Sequence, residues 1–272
     1  VLTDSIYHFQ FSENRTAPSI LAVFAHPDDE AFLIGGTLAH YARIEGARVE
    51  LLCLTHGEKG FPENSGYFPA QMAAIRRKEL EACCEVLGVH LLDMLDFPDG
   101  GLADLELNRL AWPVAEIIRQ RQPEIVITFG PDGLTGHPDH LAVGQAVTRA
   151  FNASGVALPG SRLLYAGLHQ PTVERLSNRM EGSLGEIPLR LTGSPEIGLA
   201  YQVDIRQTAS YKWAALACHH SQQASFSSLT LADRQLLSQA EYFQLAAVAP
   251  PLYRFPVPGL LPQVERPLYR SL

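Results

Sequence analysis

The sequence predicts an α/β fold built on a mostly parallel sheet, and two observations carry that prediction. Apolar runs of strand length recur at about residues 19–25, 48–54, 89–95, 124–129 and 162–168, separated by amphipathic stretches at about 33–45, 70–87, 104–121 and 138–152. Runs that are apolar throughout, instead of alternating, suit strands buried on both faces, as in a parallel sheet covered by helices.

Taken in order, an arm ends near Pro18 and the run Ser19-Ile20-Leu21-Ala22-Val23-Phe24-Ala25 makes the first strand. The second helical stretch is the clearest, with Leu80, Cys83, Cys84 and Leu87 on one face, charges on the other, and Gly88 where the helix should stop. Beyond Leu163-Leu164-Tyr165 the rhythm weakens: Gly182, Gly185, Pro188, Gly193 and Pro195 indicate loops and a small hairpin, and one more helix is expected over about Thr208 to His220. From Ala249 onward, Pro250, Pro251, Pro256, Pro258, Pro262 and Pro267 forbid a regular element. That tail is expected to wrap the surface or to meet a second copy in a homo-oligomer. The expected organisation is an arm over 1–18, one domain over 19–222, and a C-terminal helix with a proline-rich tail over 223–272 packed on the same domain.

Composition narrows the function. With 272 residues, 46% hydrophobic and 18% charged, the chain is long enough for one large domain with a substantial core. A formal net charge of −8, with the closest basic run Arg76-Arg77-Lys78 followed at once by Glu79 and Glu81, argues against nucleic acid as a partner. Cys53, Cys83, Cys84 and Cys218 form no C-x-x-C pair and no spaced framework, so they are expected as reduced, mostly buried thiols in a cytoplasmic protein. There is no run of about 20 apolar residues, hence no membrane span is expected. No leader is visible at the N-terminus, and a start at Val1 hints at trimming that could have removed one.

Two clusters carry the chemistry. His26-Pro27-Asp28-Asp29-Glu30 follows the first strand without a gap, and His137-Pro138-Asp139-His140 follows Ile125-Val126-Ile127-Thr128-Phe129 after a loop containing Gly130, Gly133 and Gly136. Reactive groups of open α/β sheets collect beyond the carboxyl ends of the strands, which is where both clusters lie. Pro27 and Pro138 fit the first turn of a helix, so each preceding histidine is held at a strand-to-helix corner. A catalytic zinc takes three protein ligands from imidazole and carboxylate; His26, one of Asp28 or Asp29, and one of His137 or His140 supply that number. A remaining carboxylate can then take a proton from water, and a protonated imidazole can stabilise an oxyanion. The acidic residues alone would be explained by a helix dipole, but both histidine clusters together would not. His8, His40, His90 and His169 are assigned no role.

These motifs carry a family resemblance. Ala25-His26-Pro27-Asp28-Asp29-Glu30, joined to Gly133-Leu134-Thr135-Gly136-His137-Pro138-Asp139-His140, resembles the LmbE-like (PIG-L) family of zinc-dependent de-N-acetylases. Supporting segments are Thr55-His56-Gly57-Glu58, Arg76 with Glu79, Phe97-Pro98-Asp99-Gly100, and Lys212 through His219-His220-Ser221-Gln222, so the likeness runs from about 19 to 222. The resemblance implies His26, Asp29 and His140 as ligands of Zn2+ or another divalent transition metal, with Asp28 as general base. It implies His137 as the imidazole that steadies the oxyanion, with Asp139 orienting it. It further implies Arg76 and Asp99 as contacts to the sugar hydroxyls of an N-acetylglucosamine-type substrate. His219 is expected to close the substrate pocket or to cap the last helix; Glu30 and Thr135 are expected to orient and cap, and Lys212 is compatible with plain helix surface.

The expectation is therefore a Rossmann-like three-layer sandwich with an irregular C-terminal segment, hydrolysing the N-acetyl group of an N-acetylglucosaminyl sugar or glycoconjugate. Two rivals are an amidase on a thiol conjugate or secondary-metabolite acyl group, and a non-catalytic sugar- or nucleotide-binding module. Gly35-Gly36 lies inside the first helical stretch and no G-x-G-x-x-G follows the first strand, which disfavours a dinucleotide enzyme. Loops around 58–69 and 172–198, with Phe61, Tyr67 and Phe68, are expected to shape the acceptor side, the first of them as a mobile lid.

Overall fold

A computed structural model describes residues 7–8, 17–61, 66–153, 156–180, 191, 193–194 and 199–249. The expected tail from Pro250, most of the loop 181–198 and the lid segment 62–65 lie outside the described residues. In chain order the strands are β1 (Tyr7–His8), β2 (Ile20–Phe24), β3 (Val49–Thr55), β4 (His90–Phe97), β5 (Ile125–Phe129), β6 (Arg162–His169), β7 (Gly193–Ser194), β8 (Tyr201–Asp204) and β9 (Ala240–Val248). The α-helices are α1 (Asp29–Ala39), α2 (Pro69–Leu87), α3 (Leu107–Arg121), α4 (Pro138–Asn152), α5 (Gln170–Met180), α6 (Ala209–Cys218), α7 (Gln223–Phe226) and α8 (Leu231–Leu237).

The sheet runs β1-β8-β9-β6-β5-β2-β3-β4, with β7 paired to β6. From β4 through β6 it is parallel, and β9 is antiparallel to both β6 and β8. The five runs read as strands form β2 to β6, and every residue of β2 and β5 is buried, as continuous apolar runs require. The chain builds outward from β2 through β3 to β4, then returns to the other side of β2 with β5 and β6. Strand order thus reverses between β2 and β5, the place where an open α/β sheet forms its crevice. No helix among the described residues is long and apolar enough to cross a membrane.

Helix ends follow their local chemistry. Gly88 stops α2 at φ 78, a left-handed conformation that costs glycine little, with its N–H on the carbonyl of Cys84 at 2.9 Å. The buried face of α2 includes Leu80, Cys83, Cys84 and Leu87, and the four cysteines of the chain are free thiols. The first helix starts earlier than its apolar pattern indicates, at Asp29, and leaves helical geometry at Ile34 (φ −137, ψ 17). Just past that break, the N–H groups of Gly36 and Thr37 donate to the Glu241 carboxylate on β9, at 3.1 and 2.7 Å. A Cβ on Gly36 would lie 2.6 Å from Ile205 Cδ1, so Gly36 lets the segment before α6 approach α1.

Two expectations change here. Lys212, compatible in sequence with plain helix surface, is 2% exposed and pairs with Glu241 at 2.6 Å. The segment 223–249, read as part of a C-terminal addition packed on the domain, instead supplies β9 to the sheet between β6 and β8.

Candidate metal centre

The turn from β2 into α1 delivers His26, Asp28 and Asp29, and the turn from β5 into α4 delivers His137, Asp139 and His140. Because β2 and β5 are adjacent and parallel, both clusters emerge at the same edge of the crevice. The second turn needs three left-handed positions, Gly133 (φ 60), Leu134 (φ 62) and Gly136 (φ 71). Phe129 then stacks on the His140 ring, centroids 4.1 Å apart and 9° from parallel, which fixes the orientation of that imidazole.

Three donor groups converge: His26, Asp29 and His140, with ligand atoms within 4.8 Å of one another. His140 Nε2 lies 3.3 Å from His26 Nδ1 and 3.3 Å from Asp29 Oδ1. The outer nitrogens are already occupied. His26 Nε2 is 3.2 Å from Asp139 Oδ2 and 3.1 Å from Asp99 Oδ1, while His140 Nδ1 is 3.1 Å from both the Gly133 carbonyl and Thr135 Oγ1. Such partners place a proton on the outer nitrogen and leave the inner lone pair free for a cation.

The donor set fits a divalent metal. Tetrahedral bonds of about 2.0–2.1 Å imply donor separations of about 3.3–3.4 Å, the spacing His140 Nε2 already has to both neighbours. The charge balance points the same way. Burial works against a charged His26, yet hydrogen bonds to Asp139 and Asp99 and the charge of Asp29 raise its pKa to about 10. The cluster is thus rich in negative charge and short of a cation. Asp29 stays ionised despite burial, its pKa lowered by His140 and His26.

Asp28 stands beside this cluster without joining it. It sits at φ 121, ψ −25, a conformation costly for a residue with a side chain, and its N–H donates to Glu30 Oε2 at 3.1 Å. Arg76 approaches Asp28 Oδ2 at 3.3 Å and also donates to the carbonyls of Gly57, at 3.0 Å, and Pro27. Burial raises the Asp28 pKa to about 6, with Arg76 opposing. Glu30 itself is buried between His219 Nε2 at 2.9 Å and the Cys83 thiol at 3.1 Å.

A cavity of about 360 Å³ opens over the centre. His26, Asp28, Asp29, Arg76, Asp99, His137 and His140 all line it, so seven of the nine residues singled out by sequence share one space. Two do not reach it as expected. Asp139 is fully buried and pairs with His26, while its other bonds come from the N–H groups of Gly100 at 2.7 Å and Leu102 at 2.9 Å. What orients His137 is the backbone N–H of Asp139, donating to His137 Nδ1 at 3.1 Å, which leaves the ring proton on Nε2. Burial, together with the facing His26 and His140, lowers the His137 pKa to about 4, a shift that disfavours the protonated ring. His219 is also fully buried; it braces Glu30 and lines no part of the described cavity.

Arg76 and Asp99 line the cavity but are also bound to the protein. Asp99 Oδ2 accepts the Lys59 N–H at 2.7 Å, and Asp99 N–H donates to Glu58 Oε1 at 2.8 Å, clamping the loop after β3 to the loop after β4. Lys59, Phe32, Ser225 and Phe226 are lining residues that sequence reasoning missed. Lys59 had a legible signal: it lies between Gly57 and Gly60 just beyond β3, on the same edge of the sheet. Phe32 and Phe226 had none, because their approach to 5.4 Å joins α1 to a four-residue helix.

Fold and site together define an open α/β protein with a three-donor metal-type centre at its topological switch point. The family model described as PIG-L: GlcNAc-PI de-N-acetylase matches residues 21–151. A Catenulispora acidiphila protein named 1D-myo-inositol 2-acetamido-2-deoxy-alpha-D-glucopyranoside deacetylase 2 is 30% identical over 93% of this chain and 97% of its own length. The chain belongs to the PIG-L family. Solved structures share the fold: the N,N'-diacetylchitobiose deacetylase of Pyrococcus horikoshii has a TM-score of 0.57 at 22% identity, covering 85% of this chain and 84% of that one. The 4-carboxy-2-hydroxymuconate hydratase GalB of Pseudomonas putida KT2440 has a TM-score of 0.62 at 21% identity, covering 85% and 96%.

Proposed function

We propose that this chain removes the N-acetyl group from an N-acetylglucosaminyl compound, using zinc or a similar divalent metal held by His26, Asp29 and His140. The observation that carries the reading is Asp28: a carboxylate that lines the cavity beside the donor cluster, stays out of it, and has its pKa raised to about 6. A binding site has no use for such a base, and a hydrolase does. Family membership and the sugar N-acetyl substrate in the name of the Catenulispora relative support the choice of bond.

A bound divalent metal supplies Lewis acidity, polarising the acetyl carbonyl and easing removal of a proton from water. Asp28 accepts that proton on its carboxylate; Arg76 and the Glu30-anchored backbone hold it in place. His137, whose Nδ1 accepts the Asp139 N–H, donates from Nε2 to the oxygen that gains charge as the carbonyl carbon becomes tetrahedral. The proton held by Asp28 returns to the nitrogen as the C–N bond breaks, releasing acetate and an amine. Arg76 and Asp99, on the same wall, are assigned contacts to sugar hydroxyls in addition to their bonds within the protein.

The test is acetate release from N-acetylglucosaminyl-inositol and N,N'-diacetylchitobiose by wild-type protein and by Asp28→Asn. The variant is expected to retain its metal while losing about 10²–10⁴-fold in kcat. Full turnover by Asp28→Asn with metal bound would defeat the mechanism, and inactivity of the wild type on every N-acetylated sugar would defeat the choice of substrate.

A further inference from the structure

The geometry points to Lys59 as a specificity-determining residue that selects substrates carrying a carboxylate or phosphate beyond the sugar. This rests on the de-N-acetylase reading above and names the chemistry of the part of the substrate nearest the cavity mouth.

Three observations converge on it. Lys59 lines the cavity and is exposed, so it stands where the cavity opens to solvent. Its side chain runs along Gly100: a Cβ built there would lie 3.5 Å from Lys59 Nζ and 3.6 Å from Cδ. Gly100 donates to Asp139 Oδ2, which holds His26, so the ammonium is one loop residue away from the wall of the metal centre.

Its backbone is held in place. The Lys59 N–H is fixed by Asp99 at 2.7 Å, its carbonyl accepts the Phe61 N–H at 2.8 Å, and the next residue is tied by Gln222 to the Gly60 carbonyl at 2.7 Å. A cation on so fixed a turn loses less freedom on binding than one on a free loop.

The charges around the cavity leave Lys59 unmatched. Arg76, the other cation in the lining, is buried, and its charge is already paired with Asp28. Asp29 and Asp99 face the histidines. Among the described residues Lys59 has no carboxylate partner within salt-bridge distance. The protein as a whole carries −8, so a preference for an anionic substrate has to come from a local group and not from the overall field.

The experiment compares kcat/KM for acetate release from three N-acetylglucosaminides: the neutral methyl glycoside, the glycoside of a 2-hydroxy acid, and the glycosyl phosphate. Wild-type protein is expected to favour at least one anionic glycoside over the neutral one. Lys59→Gln is expected to lower that anionic-to-neutral ratio by about 5- to 10-fold, the scale of one partly screened ion pair. Lys59→Arg should keep the ratio and Lys59→Glu should invert it. The two anionic arms identify which group is read. A wild-type ratio of one or less, or a ratio unmoved in both Lys59→Gln and Lys59→Glu, overturns the role of Lys59 and leaves the deacetylase reading standing. Acetate release from none of the three overturns both.

Discussion

Replacing Lys212 with Met tests whether the buried pair Lys212–Glu241 holds the first helix in the shape the site requires. Glu241 is 4% exposed and receives three donors: Lys212 Nζ at 2.6 Å and the N–H groups of Gly36 and Thr37. It therefore serves as an internal cap where α1 breaks at Ile34, and Lys212 neutralises it. Removing Lys212 leaves a buried carboxylate with two amide donors and no counter-ion, which should cost about 3–5 kcal/mol. At about 2–4 °C per kcal/mol for a domain of this size, the melting temperature falls by roughly 6–20 °C. Glu241→Leu should cost a similar amount, stranding the ammonium and two N–H groups. In Lys212→Met/Glu241→Leu the buried charges go together, leaving only the unsatisfied amides at about 1–3 kcal/mol each. The double variant should therefore be well short of additive. Urea unfolding of all four proteins, compared at equal m-value, reads the coupling. A cost below about 1 kcal/mol for Lys212→Met, or strict additivity, would refute the argument that this pair is buried and mutually dependent.

Two further outcomes follow from the site. Stripping metal with dipicolinate should abolish acetate release, and added Zn2+ should restore it; His26→Gln, Asp29→Asn and His140→Gln should each lose bound metal by elemental analysis, whereas full stoichiometry in all three would exclude the proposed ligand set. Gly57→Ala should destabilise by about 1–3 kcal/mol and cut kcat more than tenfold, since Gly57 sits at φ +62 and a Cβ would overlap the Arg76 guanidinium that braces Asp28; unchanged kcat would show that Arg76 does not position the base.

What could be read from sequence was whatever depends on neighbours in the chain. The strands β2, β3 and β5 are interior and parallel, so their sequences are mainly apolar, broken in β3 by Glu50 alone among charged residues, and Gly88 marks the end of α2 by its own conformational freedom. The strand β9 escaped because Glu241, Gln244 and three alanines leave it no strongly apolar run; β8 has only four residues. Lys212 looks like a surface helix residue and His219 like a pocket residue until Glu241 and Glu30, 29 and 189 residues away, are brought to them. The same distance hid the partner of Asp139: the family resemblance implied His137, but its carboxylate meets His26 across 113 residues.

That crossed pairing explains why the two motifs work as one. His26 arrives from β2 with its outer nitrogen unsatisfied, and Asp139 arrives from the turn after β5 with a buried carboxylate. Each would be costly alone, and together they also fasten the loop after β4 through Gly100 and Leu102. Three strand ends are thereby locked around the donor cluster: β2 by His26, β5 by the turn into α4, and β4 by the loop that presents Asp99. The loop after β3 joins them through the Asp99–Lys59 and Asp99–Glu58 bonds. A helix must lie close for this to hold, and Gly144 allows it, since a Cβ there would meet the Phe129 carbonyl at 2.8 Å. Four loops around the candidate centre are therefore tied by Asp99 and Asp139, two carboxylates that the strand order β4-β3-β2-β5 brings together.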